Sequence, residues 1–334
     1  MAILVTGGAG YIGSVTVEAL RAEGESVVVL DDLSNGHREA VAPDVPFYEG
    51  NIGDTALLAH IAVEHKIDQL VHFAGYISVP ESMTEPLRYF ENNTGKTVKM
   101  LSALREQGLK NVVFSSTAAV YGEPDYTPID EDHSKRPANP YGLSKYFVEQ
   151  ILDWTESAFG VTHVILRYFN AAGATISRGE AHKVETHLIP LVLQVAAGKR
   201  ECVTLYGADY PTPDGTCVRD YIHVADLADA HVKALRYLKK GGDSQKINLG
   251  NGKGFSVREV VAVAEKVTGV KIPVKKAPRR EGDPSVLVAD AKKARRILGW
   301  IPCFSDLEVI VRSAWEWYRA HPESCSCGKI SSSF

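Results

Sequence analysis

Apolar runs and amphipathic stretches alternate along the first half of the chain. Six short runs are apolar nearly throughout and rich in β-branched or aromatic residues, which predicts buried strands; they occupy residues 2–6, 26–30, 47–48, 69–75, 111–117 and 161–168. The stretches between them keep a helical period, most clearly over 11–20, 56–65, 86–107 and 140–152. Apolar strands separated by helices form parallel sheets that are covered on both faces. The pattern therefore predicts an α/β fold with a doubly wound parallel sheet.

The regular alternation ends near residue 175. Beyond it, segments rich in Gly and Pro separate a short strand (203–206) from predicted helices over 188–197, 224–239, 257–268, 290–298 and 307–318. We therefore expect a first domain over residues 1–174 and, joined closely to it, a smaller mixed α/β substrate-binding region over 175–322. Residues 323–334 are rich in Ser and include Cys325 and Cys327, and we expect this tail to be disordered.

A glycine-rich turn joins the first predicted strand to the first helix. Gly7, Gly10 and Gly13 stand in the strand–turn–helix context of a dinucleotide fingerprint. Glycine lets backbone N–H groups approach a pyrophosphate at the positive end of the helix. The next strand ends at Asp31, 18 residues after Gly13, where a carboxylate accepts from a ribose 2′-hydroxyl and repels a 2′-phosphate. These residues predict a Rossmann-type domain that binds NAD and not NADP.

A tyrosine and a lysine lie four residues apart at the start of another predicted helix. Pro140 fits the first turn of this helix, and Tyr141 and Lys145 share one of its faces. A phenol is a poor base at neutral pH, but a nearby cation favours the phenolate. We therefore expect Lys145 to lower the pKa of Tyr141, which then takes a proton from an alcohol. Thr117, at the end of a predicted strand, is placed to hydrogen-bond the same alcohol.

Composition and charge argue against several classes of partner. The formal net charge is −4 and the basic residues form no stripe, which argues against nucleic acid. No apolar run has the length that crosses a membrane, and the first residues are typical of a strand and not of a secretory signal, so we expect a cytoplasmic protein. The five cysteines are odd in number and scattered, so we expect no disulfide framework. No group of ligands has metal-binding spacing, and we expect no metal.

Arg219 and Arg280 are candidates for anion binding. A guanidinium pairs with two phosphate oxygens at once, and a sugar nucleotide carries a diphosphate. Asp283, close behind Arg280, can accept from ribose hydroxyls. Each arginine taken alone is more typical of a surface or ion-pair residue, so this interpretation depends on other features of the chain.

Several longer strings make the chain similar to a known family. They are residues 5–13, 72–75, 114–122, 166–170, 209–216 and 219–223. Together with Tyr141 and Lys145 they resemble the extended short-chain dehydrogenase/reductase family, and within it the nucleotide-sugar 4-epimerases, over nearly all of residues 1–320. The string at 209–223 discriminates best, because glycine motifs occur in many families.

The resemblance implies inversion of the C4 hydroxyl of UDP-glucose and UDP-galactose. Tyr141 would remove the hydroxyl proton, with Thr117 and Lys145 assisting, while bound NAD takes the C4 hydride and returns it to the other face of a 4-keto sugar. By matched position, contacts to the cofactor are expected from Gly7, Gly10, Tyr11, Ile12, Gly13, Asp31, Asn35, Asn51, Ile52, Phe73, Ala74, Gly75, Asn92, Tyr141, Lys145 and Phe169. Contacts to the UDP-sugar are expected from Thr117, Tyr141, Asn170, His187, Leu188, Tyr206, Arg219, Arg280, Asp283 and Leu287. The resemblance also implies a homodimer, in which the helices that begin near residues 86 and 140 pair with their copies.

Four positions are compared with the pattern of well-known members, and one of them is His187, which replaces an asparagine in some relatives. Ile77 stands where a lysine often contacts the cofactor pyrophosphate, which predicts weaker retention of NAD. Asn51 replaces an aspartate near the adenine, a mild change because an amide also accepts hydrogen bonds. Leu287 falls where side-chain bulk is thought to decide whether an N-acetylated sugar fits. A residue smaller than tyrosine leaves room there, which predicts that UDP-N-acetylhexosamines are also accepted.

Other reactions on the same scaffold need groups that this chain lacks. Family dehydratases place Asp-Glu directly after the threonine, and decarboxylating relatives use a glutamate in this loop. In this chain Ala118 and Ala119 follow Thr117, and the glutamate is absent. A 4-epimerase that acts on a UDP-pentose or a UDP-uronate remains the main alternative. A non-catalytic NAD-binding sensor is disfavoured, because both Tyr141 and Lys145 are present.

Overall fold

The computed structural model describes residues 1–183, 185–280 and 283–322, and the tail predicted to be disordered (323–334) lies outside them. The strands are β1 (Ala2–Thr6), β2 (Val27–Asp31), β3 (Phe47–Glu49), β4 (Ile67–His72), β5 (Asn111–Thr117), β6 (Thr162–Tyr168), β7 (Asn170–Ala172), β8 (Val203–Tyr206), β9 (Val218–Arg219), β10 (Tyr221–His223), β11 (Gln245–Leu249), β12 (Phe255–Ser256), β13 (Val274–Ala277) and β14 (Val286–Leu287). The α-helices are α1 (Tyr11–Ala22), α2 (Thr55–His65), α3 (Val79–Thr84), α4 (Pro86–Tyr89), α5 (Lys96–Glu106), α6 (Pro140–Phe159), α7 (Leu188–Ala196), α8 (Val224–Lys239), α9 (Val257–Thr268), α10 (Lys292–Leu298) and α11 (Leu307–Ala320).

A seven-stranded sheet organises the fold. Its order is β11-β6-β5-β4-β1-β2-β3, and every neighbouring pair is parallel. The chain leaves β1 toward β2 on one side and returns to β4 on the other, so the strand order reverses between β1 and β4. In open sheets of this kind, ligands bind beyond the carboxyl ends of the strands at such a switch point. The predicted doubly wound, Rossmann-type sheet is confirmed.

The two faces of the sheet bury separate apolar clusters. Along β1, Ile3 and Val5 belong to the cluster that α1 and α8 cover, while Leu4 belongs to the cluster that α2, α5 and α6 cover. This is the alternation expected of a strand that is buried on both sides, because successive side chains point to opposite faces. Both clusters are continuous across neighbouring strands, so the carboxyl ends of these strands form a rigid edge.

Helices and short strands from the second half of the chain pack over that edge. Helices α7, α9 and α11 share a third apolar cluster that includes Ile189, Val260 and Ile310. The short strands pair in three small sheets, β10-β7, β12-β9-β14 and β13-β8. Strand β11 and helix α8 come late in the chain but join the large sheet and its covering layer. The domain division near residue 174 stays a prediction.

The helix predicted over 86–107 is confirmed as one continuous helical run from Pro86 to Glu106, but its middle is not α-helical. Helices α4 and α5 are separated by a π turn at Phe90–Gly95, which holds more residues per turn than an α-helix. The side chain of Asn93 in this turn accepts from the backbone N–H of Tyr76 at 2.8 Å and donates to Ser144 Oγ at 3.1 Å. These long-range bonds favour the wider turn, and a helical period cannot reveal them. None of the described helices is long and apolar enough to cross a lipid bilayer.

Candidate active site

One cavity of about 1150 Å³ runs along the carboxyl ends of the large sheet and under the second half of the chain. All the residues assigned above to the cofactor and to the substrate line this cavity, so the structure brings the whole predicted set together. Pockets for single small ligands have volumes of about 300–1000 Å³. The cavity is therefore large enough for two ligands placed end to end.

The glycine turn between β1 and α1 forms one end of the cavity. Gly7 has a φ of 73°, and a Cβ there would lie 2.6 Å from the backbone N of Ala74; a Cβ on Gly13 would lie 2.1 Å from the carbonyl O of Gly7. Neither position admits a side chain. Within the described chain no side chain caps the first turn of α1, so its N–H groups can bind an anion.

Asp31 ends β2 beside this turn, as predicted. Its two carboxylate oxygens accept from the backbone N–H groups of Ala9 and Leu33, each at 2.9 Å. Burial raises the pKa of Asp31, and these two backbone bonds oppose the shift. Each oxygen keeps a further acceptor position for a ribose hydroxyl. The turn and the carboxylate together fit the pyrophosphate and the ribose of a dinucleotide.

Loops that follow β2, β3 and β4 complete this side of the cavity. The Asn51 Oδ1 accepts from the N–H of Gly53 at 2.9 Å, and its amide donates to Asp32 at 3.2 Å, so this side chain joins the loop after β3 to the loop after β2. Asn92, in the π turn, accepts from Lys96 at 3.1 Å. Ile77 is 37% exposed on the same wall. The other predicted cofactor contacts here are Tyr11, Ile12, Asn35, Ile52, Phe73, Ala74, Gly75 and Phe169.

Tyr141, Lys145 and Thr117 meet at the centre of the cavity. Asn139 caps α6 by accepting from the N–H of Gly142 at 2.8 Å, which fixes the start of this helix. The Lys145 Nζ is buried and donates to the carbonyl O of Ser115 at 3.1 Å. A side-chain hydrogen bond joins Tyr141 to Thr117 at the end of β5. A phenol, a hydroxyl and an ammonium are thereby presented from one helix and one strand.

In the protein without bound cofactor, the expectation that Lys145 lowers the pKa of Tyr141 is wrong. Burial raises the pKa of Tyr141, and the hydrogen bond with Thr117 offsets this only in part. Burial also lowers the pKa of Lys145 to about 8. Loss of water from the charged form is the largest cause of both shifts. The protein alone therefore keeps the proton on Tyr141.

A buried ion pair lies directly behind these residues and was not predicted. Glu149 on α6 pairs with Arg167 on β6, and both side chains are at most 1% exposed. The same carboxylate accepts from Ser116 Oγ at 2.6 Å, and Arg167 Nη1 donates to the Tyr121 hydroxyl at 3.0 Å. The network joins α6, β5 and β6 beside Thr117. It has no local sequence pattern, because its members come from three separate segments.

The predicted nucleotide-sugar contacts line the far half of the cavity. Arg219 forms an ion pair with Asp283, and the Arg280 guanidinium lies 3.9 Å from the centre of the Tyr206 ring. These contacts hold both arginines in place at the cavity wall. Leu287 on β14 packs against the apolar cluster that follows Thr117, formed by Ala118, Val120, Tyr121 and Ile129. The remaining predicted contacts here are Asn170 on β7, His187 before α7, and Leu188 at its first position.

Two glutamates and one histidine that also line the cavity were missed. Glu180, His182 and Glu185 lie beside His187, and the chain carries the sequence Glu-x-His twice, at 180–182 and 185–187. Burial lowers the pKa of His182 while the Glu180 carboxylate raises it, and the result is about 9. The repeat itself was the available signal, but nothing in a single repeat shows that its two copies meet.

Comparisons with known proteins agree with this geometry. Residues 3–250 match the NAD dependent epimerase/dehydratase family. The chain is 54% identical to a UDP-glucose 4-epimerase of Lacticaseibacillus casei over 97% of this chain and 98% of that one. Among solved structures, it is similar to a UDP-glucose 4-epimerase of Brucella ovis in complex with NAD (TM-score 0.92, 45% identity, 95% of this chain and 98% of that chain). It is also similar to one of Bifidobacterium longum in complex with NAD⁺ and UDP (TM-score 0.91, 38% identity, 97% and 100%). A full-length match, a parallel sheet of the same fold and a complete glycine turn together show that the chain belongs to the NAD dependent epimerase/dehydratase family.

Proposed function

We propose that this protein is a UDP-glucose 4-epimerase, which interconverts UDP-glucose and UDP-galactose with bound NAD. One observation carries the proposal: a single cavity joins the dinucleotide turn to Thr117, Tyr141 and Lys145, and these to Arg219 and Arg280. The relative that is 54% identical over nearly the whole chain supports the same assignment.

The cofactor is held by the glycine turn and Asp31, with the loop after β4 as one wall. The backbone crowding at Gly7 and Gly13 leaves N–H groups where a pyrophosphate can reach them. Asp31 accepts from the adenosine ribose and repels a 2′-phosphate, which selects NAD over NADP. When bound, NAD supplies a hydride acceptor for the sugar C4, a positive charge, and the hydride donor that completes the inversion.

Tyr141 moves the proton. It takes the proton of the sugar 4-hydroxyl as the 4-keto sugar forms, and gives it back to the 4-oxygen after the sugar has turned over. Thr117 hydrogen-bonds the same oxygen and keeps Tyr141 oriented. Lys145 stabilises the phenolate, and this attraction is strong because the pair is buried away from water. Since burial alone raises the pKa of Tyr141, the base forms only when further positive charge is present, as in the oxidised holoenzyme.

The UDP moiety anchors the substrate while the sugar turns. Arg219 and Arg280 neutralise the diphosphate, Tyr206 contacts the uracil, and Asp283 accepts from the ribose. The N–H groups of the first turn of α7, next to His187 and Leu188, add donors at the same end. Asn170 contacts the substrate from β7. Because these groups bind only UDP, the 4-keto sugar is free to present either face at C4.

The choice of sugar depends on the pocket near Leu287. We propose that its modest bulk admits UDP-N-acetylhexosamines as well as the unsubstituted hexoses. A 4-epimerase of a UDP-pentose or a UDP-uronate is the second candidate, because such substrates share the UDP anchor and the C4 chemistry. The substrates and NAD are cytoplasmic metabolites, which supports a cytoplasmic location.

We also propose a homodimer through α4, α5 and α6. Large apolar side chains are exposed on these helices: Leu87 is 79% exposed, Phe147 41% and Trp154 75%. Phe147 and Trp154 are seven residues apart on α6 and share a face. Such a strip is costly in water and is typical of an interface with a second copy.

The change Tyr141→Phe tests the proton carrier. We expect conversion of UDP-galactose to UDP-glucose by wild type without added NAD, and a kcat lower by roughly 10²- to 10⁴-fold in the variant, because only the phenolic oxygen is lost. Tyr237→Phe, on α8 outside the cavity, is the matched control and should keep wild-type turnover. A wild type that needs added NAD would show weak retention, as Ile77 predicts. Inactivity even with NAD would contradict the assignment and direct attention to UDP-pentoses and UDP-uronates.

The change Lys145→Met separates activity from stability. Turnover should fall, but the ligand-free protein should unfold at a higher temperature, because wild type buries an ammonium whose folded pKa of about 8 lies below its ordinary value of 10.5. This destabilisation is fully present below pH 8 and disappears as the pH rises through 10.5. The increase in Tm should therefore be largest at pH 7 and smaller at pH 9.5. Lys240→Met, at an exposed position, should show no such trend; a lower Tm for Lys145→Met at pH 7 would refute the argument.

The change Leu287→Tyr tests the sugar pocket. Wild type should convert UDP-N-acetylglucosamine, and the variant should lose most of this turnover while it keeps that of UDP-galactose, because the added ring fills space that the acetamido group needs. Turnover of both substrates is compared by kcat/KM in each protein. Absence of any turnover of the N-acetylated sugar by wild type would rule out the wider specificity.

Sedimentation velocity tests the dimer. We expect wild type to sediment at twice the mass of its 36.4 kDa chain and the double change Phe147→Glu/Trp154→Glu to sediment as a monomer, because it places charges in the apolar strip. Val63→Glu removes another exposed apolar side chain, on α2, and should leave the dimer intact. A monomeric wild type, or a double variant that remains dimeric, would contradict this interface.

A further inference from the structure

Four side chains at the edge of the cavity converge without a role in the proposed chemistry at C4. They belong to the two Glu-x-His sequences, Glu180 to His182 and Glu185 to His187. One ligand atom from each of the four side chains lies within 4.8 Å of the other three. Two carboxylates and two imidazoles at this separation are a donor set that metal ions bind.

The backbone orients each half of this cluster in the same way. The Oε1 of Glu180 accepts from the N–H of His182 at 3.1 Å, and the Oε1 of Glu185 accepts from the N–H of His187 at 2.6 Å. Each imidazole turns back over its own carboxylate, with Nδ1 to Oε1 distances of 2.6 Å and 2.8 Å. The two rings stack with their centres 5.7 Å apart. The donors therefore face one point and are held there before any ligand binds.

One of these donors is buried in an ion pair. The Nδ1 of His182 has almost no contact with solvent, and Oε1 of Glu180 lies 2.6 Å from it. The side chains of Glu180 and Glu185 are only 12% and 7% exposed. These two carboxylates carry two negative charges, which a divalent cation bound beside them can balance.

We propose that Glu180, His182, Glu185 and His187 bind one divalent transition-metal ion, with Zn²⁺ as the best match. Imidazole nitrogens suit Zn²⁺, whereas Mg²⁺ and Ca²⁺ prefer sites made only of oxygen. In a tetrahedral site with metal–ligand bonds of about 2.0–2.2 Å, any two donors stand about 3.3–3.6 Å apart. The donors now lie within 4.8 Å of one another, so the widest pair must approach by about 1.2–1.5 Å when the ion binds. Ligation through Nδ1 leaves the Nε2 of His187 free for a substrate oxygen.

The position of the cluster indicates what the ion does. It lies on the cover segment, which we define as residues 175–183 and 185–187 and which reaches from the nucleotide turn to α7. Ala181 O lies 2.8 Å from the Nε2 of His37, and the Lys183 Nζ donates to Ser34 O at 2.8 Å. The segment thus lies over the loop after β2, where the cofactor binds. An ion that joins 180–182 to 185–187 closes this segment on itself and slows the release of NAD.

The proposal is tested with full-length protein that has been dialysed against a chelator and then titrated with Zn²⁺ alone. We expect saturable binding of about one ion per chain by calorimetry and by elemental analysis, with a rise in Tm. The double change His182→Ala/Glu185→Gln should weaken binding by more than about 100-fold, since two direct ligands are lost and even an outer partner costs 10- to 100-fold. Mg²⁺ should neither bind at one equivalent nor raise the Tm.

The control variant is His60→Ala. His60 lies on α2 with Glu64 at 3.0 Å and is exposed, so it reports any surface binding of Zn²⁺; this variant should keep the full stoichiometry and affinity. Circular dichroism establishes that the double variant is folded, and the absorption bands of bound Co²⁺ report imidazole ligation in wild type. Binding that persists in the double variant, or no saturable binding in wild type, overturns the proposal. The readouts are metal content and Tm, so they stand apart from turnover of UDP-galactose.

Discussion

The buried pair of Glu149 and Arg167 is the constraint on which the centre of the cavity depends. Removing one partner of such a pair costs about 3–5 kcal/mol, because the other charge is left without water or partner. The pair ties α6 to β6, and the bond from Ser116 to the same carboxylate ties both to β5. These contacts fix where α6 lies on the sheet, and they therefore fix the position of Tyr141 relative to Thr117.

Much of the fold could be predicted because the strands at the centre of a parallel sheet are apolar on both faces. The same reasoning failed for β11, whose sequence is mixed because it lies at the sheet edge. There Lys246 pairs with Asp153, and the amide of Asn248 bonds Tyr121 at 2.6 Å. The two- and three-residue strands of the second half are too short to show any period. Their pairing depends on tertiary contacts alone.

Some features of the candidate site follow from neighbouring residues in the sequence, and others depend on residues that are far apart in the chain. The glycine turn and the Tyr141–Lys145 spacing are local, so the sequence predicts them directly. The raised pKa of Tyr141 could not be predicted, because it depends on how completely the folded chain excludes water from the phenol. The ion pair of Arg219 and Asp283 joins residues 64 positions apart, and the meeting of the two Glu-x-His sequences likewise depends on how the cover segment folds. Contacts between charged residues that are far apart in the sequence depend on the fold, and a short sequence motif does not reveal them.

The two walls of the cavity are held by hydrogen bonds of different kinds, and the amide of Asn93 holds one of them. It holds the backbone of Tyr76 through both N–H and C=O, at 2.8 Å and 3.0 Å, and it donates to Ser144 on the helix of Tyr141 at 3.1 Å. Widening the cavity on this side would break three hydrogen bonds to one buried side chain at once. The opposite wall is the cover segment, whose bonds to the first half include two exposed ones, from the Lys183 Nζ to Ser34 O and from the Ser177 hydroxyl to Glu18. Opening the cavity for exchange of the cofactor therefore costs more at the π turn than at the cover segment, where solvent can replace the exposed hydrogen bonds.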